Sequence, residues 1–207
     1  MQRPDHIALI GACLTLWPDI DMECAMLLAA LTRANSSAIV AVYSVLRRAT
    51  GKFEALSAAA NVSLDKSGVE IVNAIISVIQ SLEAERNDFA HGHWGVSDLI
   101  PEGILWIDGK YSIDYHVRHR LIGRGHSLPE LESRVFYYTK DDFERFRDSV
   151  FSLCENIRFL RRYLDRAPSH LHLPFRIEPE ARARLEADGP ISQALLHQIA
   201  RERRTTP

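Results

Sequence analysis

Arg86, Asn87 and His91 are the residues whose types and spacing fit acid–base and anion chemistry, and they lie in the run Arg86-Asn87-Asp88-Phe89-Ala90-His91-Gly92. A guanidinium presents a planar fork of donors that matches phosphate oxygens. An imidazole holds or passes a proton near neutral pH, and a carboxamide can orient either neighbour. Asn87 and His91 stand four residues apart, which stacks them on one face of a helix. The preceding segment has that pattern: Val72, Ile75, Ile79 and Leu82 form an apolar stripe that continues through Arg86 to Phe89 and Ala90. An arginine therefore falls on a buried stripe. Burying an unpaired guanidinium costs on the order of several kcal/mol, so Arg86 needs a partner or a wet cleft. Gly92 reads as a C-terminal stop, placing His91 in the last turn, where the helix dipole favours imidazolium.

Two other readings of the run stand beside this one. His91 caps the last carbonyls while Arg86 pairs with Glu83 or another helix, a purely structural role. Alternatively, His91 and His93 form half of a metal site completed by His116, His119 or His126, although no acidic or cysteine cluster has matching spacing.

The run resembles the motif of HEPN domains: an arginine, a polar residue directly after it, and a histidine with four residues between Arg86 and His91. Those domains are small helical bundles, many of them metal-independent endoribonucleases and some of them toxins or antiviral effectors. The resemblance covers about Asp19 to Asp165 and implies that Arg86, Asn87 and His91 are the functional arginine, its polar neighbour and the histidine. It implies a homodimer that brings two motif helices together, RNA as substrate, an antitoxin or regulatory protein as partner, and no cofactor or metal. In such chemistry His91 serves as base toward the 2'-hydroxyl or acid toward the leaving oxygen. Arg86 stabilises the developing phosphate charge, Asn87 orients, and His93 is an auxiliary proton carrier. The alternative is a noncatalytic module of the same type that binds nucleotide, RNA or protein and uses the motif helix as a dimer interface.

A second basic feature is the segment Tyr115 to His126, which lacks acids and offers Arg118, Arg120 and Arg124 to phosphates and Tyr115 to a base. It reads equally as a surface loop. Arg158, Arg161, Arg162 and Arg166 at the end of the last long helix admit a similar pair of readings, contacts to phosphates or charges favoured at a helix C-terminus, and the second is preferred.

Composition bounds these readings. The chain has 207 residues, 46% of them hydrophobic, enough for an ordinary core. A formal net charge of -2 argues against a general polyanion binder, so nucleic-acid contact requires a local basic surface. Cys13, Cys24 and Cys154 are far apart in apolar helical contexts, which predicts buried thiols rather than disulfides or a zinc site. The apolar run Ile7 to Trp17 is too short to span a bilayer, and a cytoplasmic location without membrane contact is expected.

The elements that must position the motif are mainly helical. A short opening helix precedes a long one from Pro18-Asp19 to about Ala49, with Cys24, Leu27, Leu28, Leu31, Ala38, Val42, Val45 and Leu46 inside and a bend at Asn35 to Ser37. Thr50-Gly51 breaks the pattern, Phe53 to Val62 makes a shorter helix, and the motif helix follows. A β insertion is expected at about 94–139, after the motif helix. Within it, Ile104 to Ile107 and Tyr111 to Tyr115 flank Asp108-Gly109, a hairpin signal, and Arg134 to Thr139 is a third strand. Asp141-Asp142 opens a long helix to about Leu164. Residues 1–166 are expected to form an antiparallel helical bundle with its insertion, HEPN-like as the resemblance implies, and residues 167–207 a linker and a helical appendage split by Gly189-Pro190.

Overall fold

The apolar periodicity of the chain is realised as a mainly helical fold with one small antiparallel sheet, seen in a computed structural model. The structure describes residues 3–98, 100–122, 133–166 and 174–205. The chain divides into two compact units, one comprising residues 1–16 and 82–149, the other residues 17–81 and 150–207.

In the second unit, α2 (Trp17–Thr32) packs against α3 (Ser36–Val45) and α4 (Ala49–Ser63). The expected single helix to Ala49 is therefore two. Its break is a capped end: the amide of Ala34 donates to the Ala29 carbonyl and that of Arg33 to Ala30, with Arg33 at φ 52. This is a Schellman termination with arginine in the left-handed position that glycine usually takes. Asn35 then restarts the chain as N-cap, accepting from the Ala38 amide at 3.1 Å. Because the turn resets the helical phase, Ala38, Val42 and Val45 lie exposed rather than inside, and Tyr43 is the buried residue of α3. Thr50-Gly51 does not break the pattern either, since α4 begins before it.

The long helix α5 (Lys66–His91) buries Val72, Ile75, Ile79, Leu82 and Phe89, while Arg86 is half-buried and Ala90 exposed. The helix α7 (Lys140–Asp165) buries the expected stripe of Phe143, Phe146, Val150, Leu153, Ile157, Leu160 and Leu164. Two further helices of the second unit are α8 (Pro179–Glu186) and α9 (Gly189–Thr205). Gly189-Pro190 starts α9 rather than separating two helices, with Asp188 accepting from the Ile191 amide. Before α8, Phe175 pairs as an isolated parallel bridge with Leu64, and Ile177 is buried.

The first unit contains α1 (Pro4–Thr15), the last turns of α5 and a three-stranded sheet in the order β1 (Gly92–Gly95), β2 (Gly103–Asp108), β3 (Val135–Thr139). The hairpin that follows the motif helix is β1–β2, in register with Gly92 opposite Asp108 and Trp94 opposite Trp106. This corrects the expectation for Asp108-Gly109. No turn forms there; the helix α6 (Gly109–Ile122) begins instead, replacing the expected strand at Tyr111 to Tyr115. Asp108 accepts from the Lys110 amide at 2.9 Å, acting as a helix N-cap. The same short acidic side chain that favours tight turns also caps helices, so the dipeptide alone does not choose. The sheet also begins at Gly92, two residues before the expected 94. The third strand and the start of α7 fall as expected, and Asp142 accepts from both the amide and the hydroxyl of Thr139 at 2.7 Å.

Among the described residues no helix is long and apolar enough to cross a membrane.

Candidate functional site

Two tryptophans of the sheet hold the end of the motif helix. Trp106 Nε1 donates to the Asp88 carbonyl at 2.7 Å and Trp94 Nε1 to the Phe89 carbonyl at 3.2 Å. Asp88 and Phe89 carry two of the four carbonyls that an α-helix leaves without an internal partner at its C-terminus. Gly92 is needed for a different reason from the one its sequence context suggests. A Cβ there would stand 1.5 Å from Trp106 Nε1, and the residue begins a strand rather than turning into the left-handed region. Glycine is required so that the indole can cover the helix end.

Behind the motif lies an aromatic cluster. The ring of Phe89 meets Phe143 at 5.2 Å and Phe146 at 5.1 Å, and Tyr138 lies edge-on to it at 5.6 Å. Trp94 closes the group against Tyr138 and Phe143. These contacts hold the last turns of α5, because each ring fixes the azimuth of the helix through Phe89.

The motif residues occupy the other side. At about 100° per residue, Asn87 and His91 share a face that points away from Phe89. Both are exposed, in accord with that geometry. Arg86 sits between the two faces. Its Nη1 donates to Asn87 Oδ1 at 3.0 Å, while its Nε is buried without a hydrogen-bond partner. Arg86 makes no ion pair among the described residues, and the imidazole of His91 makes no hydrogen bond among them. The structure thus joins Arg86 to Asn87, and places His91 one turn on from Asn87 without joining it to either. His93 lies on β1 opposite Ile107, on the sheet face away from Trp94, its ring beside Gly109 at the start of α6.

Sequence reasoning missed the acidic flank. Burial raises the Glu85 carboxyl above the usual range, Arg145 lowers it in part, and Asp142 and Asp88 add to the rise. Burial and then Asp108 raise Asp88. Burial also raises the Tyr138 phenol, reinforced by Asp88, Glu85 and Asp142. For Asp142 burial acts upward, but the Thr139 hydrogen bonds and Arg145 outweigh it and the carboxyl is lowered. The signal was present in the sequence, since Glu85 and Asp88 bracket Arg86 and Asn87.

Tyr115, Arg118 and Arg120 lie on α6, and their side chains fall outside what the structure describes; Arg124 lies outside the described residues. So do the side chains of His116 and His119, and the whole of His126. Among the described residues, no group of three or more His, Cys, Asp or Glu is arranged to hold a metal ion.

No known family, curated protein or solved structure matches this chain.

Proposed function

We propose that this chain is a HEPN-like metal-independent endoribonuclease of the cytoplasm, acting as a homodimer in a toxin or defence setting under the control of an antitoxin or regulatory protein. The observation that carries the reading is the division of labour at the end of α5. The indoles of Trp94 and Trp106 take the helix carbonyls that a structural histidine would cap. His91 stands exposed one turn beyond an Arg86–Asn87 pair whose guanidinium keeps a buried, unpartnered Nε–H. A buried donor left without an acceptor costs about 1–3 kcal/mol, which is recovered if the side chain turns to present that N–H to a phosphate oxygen.

In the proposed reaction His91 accepts the proton of the RNA 2'-hydroxyl as that oxygen attacks the adjacent phosphorus. Arg86 holds the non-bridging oxygens as charge develops, and Asn87 keeps the guanidinium in place. The bond from phosphorus to the 5'-oxygen breaks, that oxygen takes a proton, and a 2',3'-cyclic phosphate and a 5'-hydroxyl result. One histidine cannot be base and acid at once, so the second proton carrier is the partner copy's histidine or His93. Arg118, Arg120, Arg124 and Tyr115 are the proposed contacts to the rest of the strand.

A specific observation favours the second reading, a noncatalytic module. Glu85 and Asp88 sit beside Arg86, and carboxylates repel a polyanion. Cleavage of total RNA without divalent metal, wild type against folded His91→Ala, separates the two. Loss of cleavage in His91→Ala with insensitivity to EDTA is expected. Cleavage that persists in the variant, or that EDTA stops, overturns the ribonuclease reading.

A further inference from the structure

The last turns of α7 and the end of α8 border a cavity of about 190 Å³ in the second unit, lined by Arg158, Arg162, Arg166 and Arg184 with Phe159 and Tyr163 as an aromatic wall. Among the described residues the only carboxylate on the lining is Glu155, and it is already paired with Arg158, which also binds Glu23 at 2.7 Å. Arg162, Arg166 and Arg184 form no ion pair among the described residues. The central guanidinium carbon of Arg184 stands over Phe159, 3.9 Å from the ring centroid, and Phe159 is in turn near-parallel to Tyr163. Tyr163 is fixed by its hydroxyl, which accepts from the Glu178 amide at 3.0 Å. Arg162, Arg166 and Arg184 are exposed, and three guanidiniums without a paired carboxylate around one cavity concentrate positive charge in a chain whose net charge is -2, which attracts an anion.

We infer that this cavity binds a phosphoryl group, as a phosphomonoester or diphosphate. The cavity is smaller than the roughly 300–1,000 Å³ of sites that enclose a drug-sized ligand, so it fits the anionic end of a molecule rather than the whole of it. Guanidinium forks match phosphoryl oxygens pairwise, and the contact with the Phe159 ring helps hold one fork at the cavity. Helix dipoles account for arginines in last turns singly. They do not account for arginines of two helices facing one space, nor for the seat of Arg184 over the Phe159 ring. The site uses none of the residues of the proposed catalytic motif and stands independently of that reading.

Calorimetric titration of the full chain with pyrophosphate at low salt tests it. Saturable binding is expected, weakened about tenfold or more by Arg162→Gln and by Arg184→Gln, and less by Arg184→Lys, which keeps the charge without the fork. Circular dichroism checks that each variant is folded; if one is not, the other carries the test. A 5'-phosphorylated oligonucleotide that binds more tightly than its 5'-hydroxyl form identifies a nucleic-acid end as the source. Binding of pyrophosphate with no such difference identifies a small phosphorylated molecule. No saturable pyrophosphate binding, or equal affinity in wild type and both folded glutamine variants, overturns the proposal.

Discussion

Trp106 covers Gly92: its indole nitrogen stands 1.5 Å from where a Cβ on residue 92 would be, and the same N–H donates to the Asp88 carbonyl at 2.7 Å. The end of the motif helix is therefore set by a strand two elements on. Gly92→Ala forces the indole off the helix end and is expected to cost about 3 kcal/mol. Trp106→Leu leaves the Asp88 carbonyl unsatisfied and a gap behind, for about 2–4 kcal/mol. Because both act on one contact, the double variant should be more stable than the sum of the two losses by about 1 kcal/mol or more. Urea unfolding followed by tryptophan fluorescence measures the cycle, and strict additivity would show that the two residues are not coupled.

How much of this was legible in the sequence follows from the range of each interaction. The stripe of α5 and that of α7 are local periodicities: Val72, Ile75, Ile79, Leu82 and Phe89 are buried as read, as is the stripe from Phe143 to Leu164, while Arg86 is half-buried and Ala90 exposed. The placement of Arg86, Asn87 and His91 in the last two turns of one helix followed from the same periodicity. Asp108-Gly109 misled because an aspartate that caps a helix looks locally like one that starts a turn, and only the pairing of β2 with β1 and β3 decides. The two indole caps depend on the register of β1 and β2, which no local pattern in residues 92–108 encodes. The arginine cavity joins residues of α7 and α8, so the sequence offered both a helix-end and a phosphate reading for Arg162 and Arg166 but could not bring Arg184 to them.

Arg33 adopts φ 52, a left-handed conformation that costs a residue with a Cβ about 1–2 kcal/mol. Arg33→Gly relieves that strain while keeping the Ala34 to Ala29 hydrogen bond, and its extra unfolded-state freedom offsets part of the gain. A net stabilisation of about 0.5–1 kcal/mol is expected, seen as a rise in Tm of about 1–4 °C. A lower Tm would show that the arginine side chain contributes more than its backbone strain costs.

All three thiols are buried and free. Burial raises Cys13 to about 11, Cys24 to about 12 and Cys154 to about 11, from an ordinary 9.0. At pH 8 each should react with a thiol reagent about 100-fold or more slowly in the folded protein than in urea, since the thiolate fraction falls tenfold per unit. The linkage sign follows from the same shift. The unfolded chain releases these protons first, so the stability they contribute is complete below pH 9 and is lost as pH rises toward 11. Rapid labelling of a thiol in the folded protein at pH 8 would place that cysteine outside the core.

Arg86→Lys is more revealing than Arg86→Ala for the proposed chemistry, because lysine keeps the charge and loses the fork. Arg86 already commits Nη1 to Asn87 Oδ1, and its Nε–H is buried without a partner. If the guanidinium fork grips the phosphate as charge develops, the cleavage rate of Arg86→Lys should fall about tenfold or more while RNA affinity changes less. Asn87→Ala, which frees the guanidinium without removing it, should lower the rate by a smaller factor, because the fork is then held less firmly. A point charge at residue 86 would serve equally well if Arg86 only attracted RNA. In that case single-turnover cleavage by Arg86→Lys would match wild type once RNA is saturating, and the assignment of Arg86 to the transition state would fall.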